Sequence, residues 1–475
     1  MNAPAAPDHF QRRLKLAGAV LLAVFFSLYG IRCVKKGWYD PPTKDGSDFT
    51  AYYAAGELAG KGQDITAREN SSAPGRQYIY PPTFAVFPMA LLGFLPHNTA
   101  LIVFYVLNLA LLLGSLWLLK RLLYPPTAPP VKSFWTLPEF GLLAAVLACG
   151  RLFDSNMQLS NANIFVLFPI VLGLYLLQRE RGFWGGICIA LATCYKATPG
   201  LYGLYFLWSR RVWAMAGGAL GLLIFLALLP IAVIGYANTH KAMHEWIVLS
   251  TQKLAAQDVD EQPADAAADT KGKPNEDSEA NPRAVGISLR GTFLKLFADT
   301  TALNRKEAGG EKQVNVTHLE TATVVTIASV FSLLLLLTTV VLTFPKAAGS
   351  TAYALTLSWG LIALTMLLVS PLTRKAHAVV LVIPVTALIA LLQQGRLAGD
   401  ANKFARRLAW LSLIVLALAG TGTSPDLIGE RASQVAHAMG CWTWSMLLLF
   451  AAVAVCLRVE TRAAAEASAN PASPA

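Results

Sequence analysis

Hydrophobic positions along this chain fall into long unbroken runs, not into the narrow stripes of helices in a soluble domain. An apolar helix needs roughly 20 residues to cross a bilayer. Runs of that order lie at 14–34, 98–119, 212–235, 321–344, 351–370, 378–393, 408–423 and 440–457. Shorter ones at 138–153, 162–178, 183–197 and 199–209 come in pairs divided by polar or Pro/Gly breaks. The pattern predicts an all-α polytopic membrane protein with about twelve transmembrane helices. The first run, flanked by Arg12, Arg13 and Lys15, is too long for a signal peptide and lacks its small-residue cleavage site.

Composition agrees. Of 475 residues, 55% are hydrophobic and 14% charged, against roughly 25% charged in soluble domains. The net charge of +11 would suggest a nucleic-acid partner in a soluble protein. Here the bases stand at the ends of apolar runs, where the positive-inside rule puts them, so no nucleic acid is expected. With a cytoplasmic segment 1–13, the short basic loops all fall on one side: Lys120, Arg121 and Lys132; Arg179 and Arg181; Arg210 and Arg211; Lys346; Arg396, Lys403, Arg406 and Arg407; and Arg458 and Arg462. This holds if Pro81–Leu95, about 15 residues long and broken by Pro88, is an interfacial or re-entrant helix on the outer face.

The membrane domain then spans 14–462 and carries two outer segments, 35–97 and 236–320. Within the second, 255–282 is rich in Ala, Asp, Glu, Lys and Pro and is expected to be a disordered insertion. The small-residue tail 463–475 is expected to be unstructured. Six scattered cysteines without a CxxC pair give no disulfide framework or metal-ligand spacing.

Ionisable side chains at membrane depth are costly and informative. Mid-helix they are nearly absent, which argues against an ion- or proton-coupled transporter. They gather at the expected outer ends of helices: Asp45 and Asp48, Arg151 and Asp154, Lys196, and Arg374, Lys375 and His377. Asp48, in Gly-Ser-Asp-Phe-Thr-Ala-Tyr-Tyr, suits a general base that takes the proton of a sugar hydroxyl. Equally, Ser47 or Asp48 suits the N-cap of the helix-like segment that follows. Lys196 breaks an apolar stretch of roughly 27 residues, enough for two short helices turning at the lysine. Its ammonium suits a phosphate at headgroup level, or snorkels to lipid headgroups. Ser370–His377 sets Arg374, Lys375 and His377 just outside the ninth run, where they suit a phosphate or diphosphate. Asn161 and Asn163 open the fourth run as ligands of sugar hydroxyls or as helix caps. Tyr78 and Tyr80 stack on a sugar face or anchor a helix at the interface. Arg290 lies in a short amphipathic stretch expected on the membrane surface, beside a lipid phosphate or in solvent.

In order, these motifs resemble glycosyltransferase family 87, the polyprenol-phosphate-mannose-dependent mannosyltransferases of the GT-C superfamily. The matching residues are Ser47–Gly56, Gly60-Lys-Gly62, Tyr78-Ile-Tyr-Pro-Pro-Thr-Phe84 and Phe87-Pro88, then Lys196-Ala-Thr-Pro199 with Trp208–Trp213, then Ser370-Pro371 with His377. Ser160-Asn-Ala-Asn163 departs from the family's Gly-Gln-x-Asn at the fourth run, and the Arg-Lys pair before His377 departs from its aromatics. The resemblance implies a GT-C fold whose outer loops form a cavity at the outer leaflet. It implies a polyprenyl-phosphate sugar as donor, most often mannose, a hydroxyl of a glycolipid or glycan as acceptor, and a bacterial inner-membrane location with both termini cytoplasmic. Asp48 becomes the implied base, and Lys196, Arg374 and His377 the implied donor-phosphate or acceptor ligands.

Such chemistry suits these side chains. A carboxylate takes the acceptor proton while cations stabilise the leaving phosphate; lysine and arginine neutralise a monophosphate leaving group, so neither cofactor nor metal is expected. A multi-span transporter or flippase of a lipid-linked saccharide is the alternative, and would show inverted repeats and midplane polar groups. A non-catalytic membrane scaffold is a third.

Overall fold

A backbone in hydrocarbon must close its hydrogen bonds within its own segment, and each apolar run of this sequence folds as helix. The computed structural model describes residues 9–40, 44–45, 47–74, 77–124, 137–255, 286–298, 314–344 and 351–469. In chain order come α1 (His9–Gly37), an antiparallel hairpin of β1 (Tyr39–Asp40) and β2 (Lys44–Asp45), and α2 (Asp48–Gly60). Next are α3 (Pro82–Leu92), α4 (His97–Leu123), α5 (Pro138–Ala148), α6 (Gly150–Gln158), α7 (Asn163–Gln178), α8 (Gly182–Tyr195) and α9 (Gly200–Trp208). Then follow α10 (Val212–Thr251), α11 (Leu289–Phe297) and α12 (Thr321–Thr343). The last are α13 (Ala352–Val369), α14 (Lys375–Gln393), α15 (Asp400–Gly422), α16 (Glu430–Ala438) and α17 (Cys441–Ala469).

Among the described residues, eight helices are long and apolar enough to cross a membrane, or nine if α5 and α6, bent by 59°, form one broken span. The expected twelve crossings therefore rest on α7, α8 and α9, of 16, 14 and 9 residues. At about 1.5 Å per residue each falls short of a hydrocarbon core of about 30 Å. Short helices and the polar turns between them are tolerated at that depth only when wrapped in protein. α7 has that wrapping, packed between α4 and α8. The innermost spans are α13 and α14, with 89% and 83% of their apolar windows buried, against 17% for α1 and α12, which stand at the edge of the bundle.

Two contacts set the position of the loops. α8 and α10 meet backbone to backbone: a Cβ on Gly217 would lie 1.9 Å from the Phe183 carbonyl oxygen, and one on Gly186 2.0 Å from that of Ala214. Only glycine permits this approach, and it fixes the first turns of α8, the end away from Lys196. α10 runs 40 residues, about 60 Å, and breaks at Gly235, whose φ of +79° is non-helical. The break coincides with the expected start of the outer segment at 236, and beyond it Lys241 pairs with Asp64 at 2.6 Å.

α3 is the short helix expected over Pro81–Leu95. Kinked where Phe87 leaves helical geometry, it seats Phe84 in the core and leaves Phe87 and Leu91 exposed and apolar, with Phe94 exposed just beyond its end, as at a lipid interface. Two expectations are corrected. The stretch carrying Arg290 does not lie on the membrane surface: most of α11 is buried, with Thr292 bonded to Thr443 at 2.6 Å and Phe293 edge-on to Phe331 at 5.6 Å. Both faces of its amphipathic pattern are met by protein. The final helix also passes the boundary drawn at 462 and runs to Ala469, because Ala-rich sequence favours helix and Arg462 bonds Glu466 one turn on at 2.8 Å. The insertion read at 255–282 lies, but for its first residue, outside the described residues.

Candidate active site

Asp48 is the first residue of α2. Ser47 occupies the capping position, yet its side chain makes no capping bond, so capping does not account for the pair. What fixes this end of α2 is aromatic packing: Phe49 lies 5.0 Å from Phe104 and Tyr52 5.3 Å from Phe84, ring to ring. Thr50 Oγ1 meets His97 Nε2 at 3.1 Å. The preceding hairpin is held from the same side, since Tyr39 N donates to Asn98 Oδ1 (3.0 Å) and Asn98 Nδ2 to Tyr39 O (3.1 Å). Asp48, half-buried, therefore meets the chain just before α7 from a rigid base.

A line of amides crosses from the carboxylate to an ammonium. Asn161 Nδ2 donates to Asp48 Oδ2 (3.0 Å), Asn163 Nδ2 to Asn161 Oδ1 (2.7 Å), and Lys196 Nζ to Asn163 Oδ1 (2.9 Å). Asn163 Nδ2 also reaches the Ala376 carbonyl (2.9 Å) and Asn156 Oδ1 (3.1 Å). The N-cap of α7 is Ala162, without a side-chain bond. Both asparagines are thus spent on tertiary contacts between α2, α6, α8 and α14 rather than on capping.

Cations and phenols surround this line. Lys196, in the break between α8 and α9, feels the charges of Asp48 and Arg374; burial brings its pKa down to about 7, Arg374 acts the same way and Asp48 opposes. His377 feels Lys196 and Arg374, and its Nδ1 accepts from Arg374 N at 3.3 Å. Tyr80, bonded to Tyr52 at 3.0 Å, is pushed up to about 12 by burial and then by the Asp48 charge, so it stays a neutral hydroxyl at neutral pH. Below the line, Asn163, Lys196, Thr198 and His377 line one wall of a cavity of about 20 Å³ closed by Met366 and Val379. That volume admits a water.

Of the residues expected at a site, Asp48, Asn161, Asn163, Lys196, Arg374, His377 and Tyr80 converge. Arg290 stands on α11, whose preceding segment is bonded to the loop before α14 through Ile287 N and Thr373 O at 2.9 Å. Tyr78 turns its hydroxyl to the Pro81 carbonyl at 2.7 Å. Sequence reasoning passed over Tyr52 and Asn156 as members of the site. Tyr52 had a usable signal, lying one turn after Asp48 on the same helix face; Asn156, on a different helix, had none.

A model of glycosyltransferase family 87 matches residues 78–267 of the chain. The matched stretch holds Tyr80, Asn161, Asn163 and Lys196, begins after Asp48 and ends before Arg374 and His377. It bears out the family resemblance and, with the apolar helices, marks a membrane glycosyltransferase. A search of the curated proteins finds no match.

Proposed function

We propose that this membrane glycosyltransferase moves a hexose, mannose by its family resemblance, from a polyprenyl-phosphate donor to a hydroxyl of a glycolipid or glycan on the outer face of a bacterial inner membrane. The observation that carries the proposal is the hydrogen-bonded line from Asp48 through Asn161 and Asn163 to Lys196, with Arg374 and His377 at its cationic end. One carboxylate and two permanent or near-neutral cations at opposite ends of a short polar track match the two charges that an inverting transfer develops.

In that reaction the acceptor oxygen attacks the anomeric carbon, and the Asp48 carboxylate takes the proton the oxygen loses. The bond from the anomeric carbon to the phosphate oxygen breaks, its electron pair leaves with the phosphate, and Lys196 and Arg374 stabilise the charge that gathers there. Asn161, donating to Asp48, orients the carboxylate. His377 and Tyr80 supply hydrogen bonds to donor or acceptor oxygens. A β-linked donor gives an α-linked product.

Asp48→Asn keeps the size and the Asn161 contact but removes the base. Transfer from purified polyprenyl-phosphate-mannose, with products identified by mass, is expected to fall about 10²–10⁴-fold while the melting temperature stays unchanged. Transfer at the wild-type rate in that variant refutes the role of Asp48. A panel of polyprenyl-phosphate sugars in the same assay tests the donor.

A further inference from the structure

On the other side of Arg374 the chain gathers a second set of cations. α6 packs along the first turns of α14, bringing Arg151 to Lys375. The segment before α11 is stitched to the loop before α14, with Ile287 N bonded to Thr373 O at 2.9 Å. Lys295, from α11, folds back onto the Gly286 carbonyl at 2.7 Å and is buried. His437, from α16, is held by Thr423 at 3.2 Å. These four are close enough to act on one another electrically: Lys375 on Lys295 and His437, and Arg151 on Lys375 and His437.

Among the described residues the acids do not balance them: there Asp154 is the one carboxylate that acts on Lys375, and it is already shared by Arg151 at 2.9 Å and Arg32 at 3.2 Å. The Lys375 side chain makes no hydrogen bond or ion pair with another described residue. Converging like charges in excess of their counter-ion cost free energy unless a further anion completes the group. The other charge set, around Lys196, faces Asp48 and contains Arg374, the neighbour of Lys375 in sequence. The two therefore lie side by side, divided by the Arg374–Lys375 backbone.

We propose that Arg151, Lys295 and Lys375 form a second anion site, distinct from the one at Lys196, that takes a phosphate group, either free or at the headgroup of an anionic membrane lipid. His437 closes its far edge as a neutral donor. The side chains suit a phosphate because a guanidinium and two ammonium groups offer several converging N–H donors.

Purified full-length protein is titrated with dioleoyl-phosphatidylglycerol, with a neutral glycosyldiacylglycerol and with inorganic phosphate, and bound lipid is counted by native mass spectrometry. One phosphatidylglycerol is expected to bind in preference to the neutral lipid. Lys375→Gln, which breaks no bond among the described residues, is expected to lower that affinity about tenfold or more, and Lys375→Arg to restore it. Lys196→Gln is expected to leave it unchanged while weakening polyprenyl-phosphate-mannose. Competition by millimolar inorganic phosphate, lost in Lys375→Gln, assigns the free anion; its absence assigns the lipid. Equal binding of the charged and neutral lipids with no phosphate competition overturns the proposal, as does loss of both ligands in either variant, which means one shared site. Unchanged polyprenyl-phosphate-mannose binding in Lys196→Gln counts against the donor assignment alone.

Discussion

Replacing Lys196 by arginine separates charge from proton. Burial holds the Lys196 pKa at about 7, so at pH 8 about one lysine in ten is protonated, and at pH 6 about nine in ten. A phosphodiester donor carries one fixed negative charge across this range and favours the ammonium. Donor binding should therefore draw about 0.9 proton from solution at pH 8 and about 0.1 at pH 6. Affinity should fall up to tenfold, or 1.36 kcal/mol, for each pH unit above 7. The assay is isothermal titration with polyprenyl-phosphate-mannose in two buffers of different ionisation enthalpy, whose difference counts protons. A guanidinium does not titrate here, so Lys196→Arg should take up none and bind with a flat pH profile. The same shift has a sign for folding: the unfolded lysine holds its proton to about 10.5 and the folded one releases it near 7. Wild-type stability relative to Lys196→Gln should thus rise with pH between those values and drop as pH falls through 7. No proton uptake by the wild type at pH 8, or equal uptake by Lys196→Arg, refutes the reasoning.

Asn161→Ala should lower kcat about 10–100-fold with a small change in donor affinity, since it frees Asp48 to rotate without touching Lys196; an unchanged kcat would show that Asp48 needs no orientation. Glu57 accepts bonds from Lys61 (2.7 Å), Ser71 Oγ (2.7 Å) and Ser72 N (2.8 Å). Burial raises its pKa, but these bonds outweigh burial and hold it at about 2 against 4.5 unfolded. Its stabilisation is complete above pH 4.5 and lost as pH falls towards 2, so Glu57→Gln should cost about 1.5–3 kcal/mol at pH 7 and flatten the acid limb of the melting curve. Gly217→Val should reach or exceed the upper end of the ~1–3 kcal/mol cost of overpacking, because the obstructing Phe183 oxygen is backbone; monodispersity and melting temperature in detergent report it.

Helix positions were legible because hydrocarbon length and charge asymmetry write themselves into sequence. Runs such as 98–119 and 321–344 returned as α4 and α12 within a few residues, and even the limit at 235 reappeared as a glycine with positive φ. The site was half legible. Asp48, Lys196 and His377 stood out as ionisable residues at ends of apolar runs, but Asn161 and Asn163 read equally as caps, since a cap and a tertiary ligand share one residue type. What decides between them is a partner more than a hundred residues away, which no local spacing reports. α11 was misread for a related reason: an amphipathic period says that one face is apolar, not that the other faces water, and here Thr292 finds Thr443 instead of solvent.

The cavity beside Lys196 is the feature with the widest consequence. Two of its sides, from α13 and α14, are packed on every flank and have nowhere to retreat, whereas the turn at Lys196–Pro199 has Ala197 at the surface. Of the cavity's walls, that turn has the room to move, and Lys196, bonded to Asn163 at 2.9 Å, would move with it, so a change in the chamber's shape and a change in the place of its charge are one event.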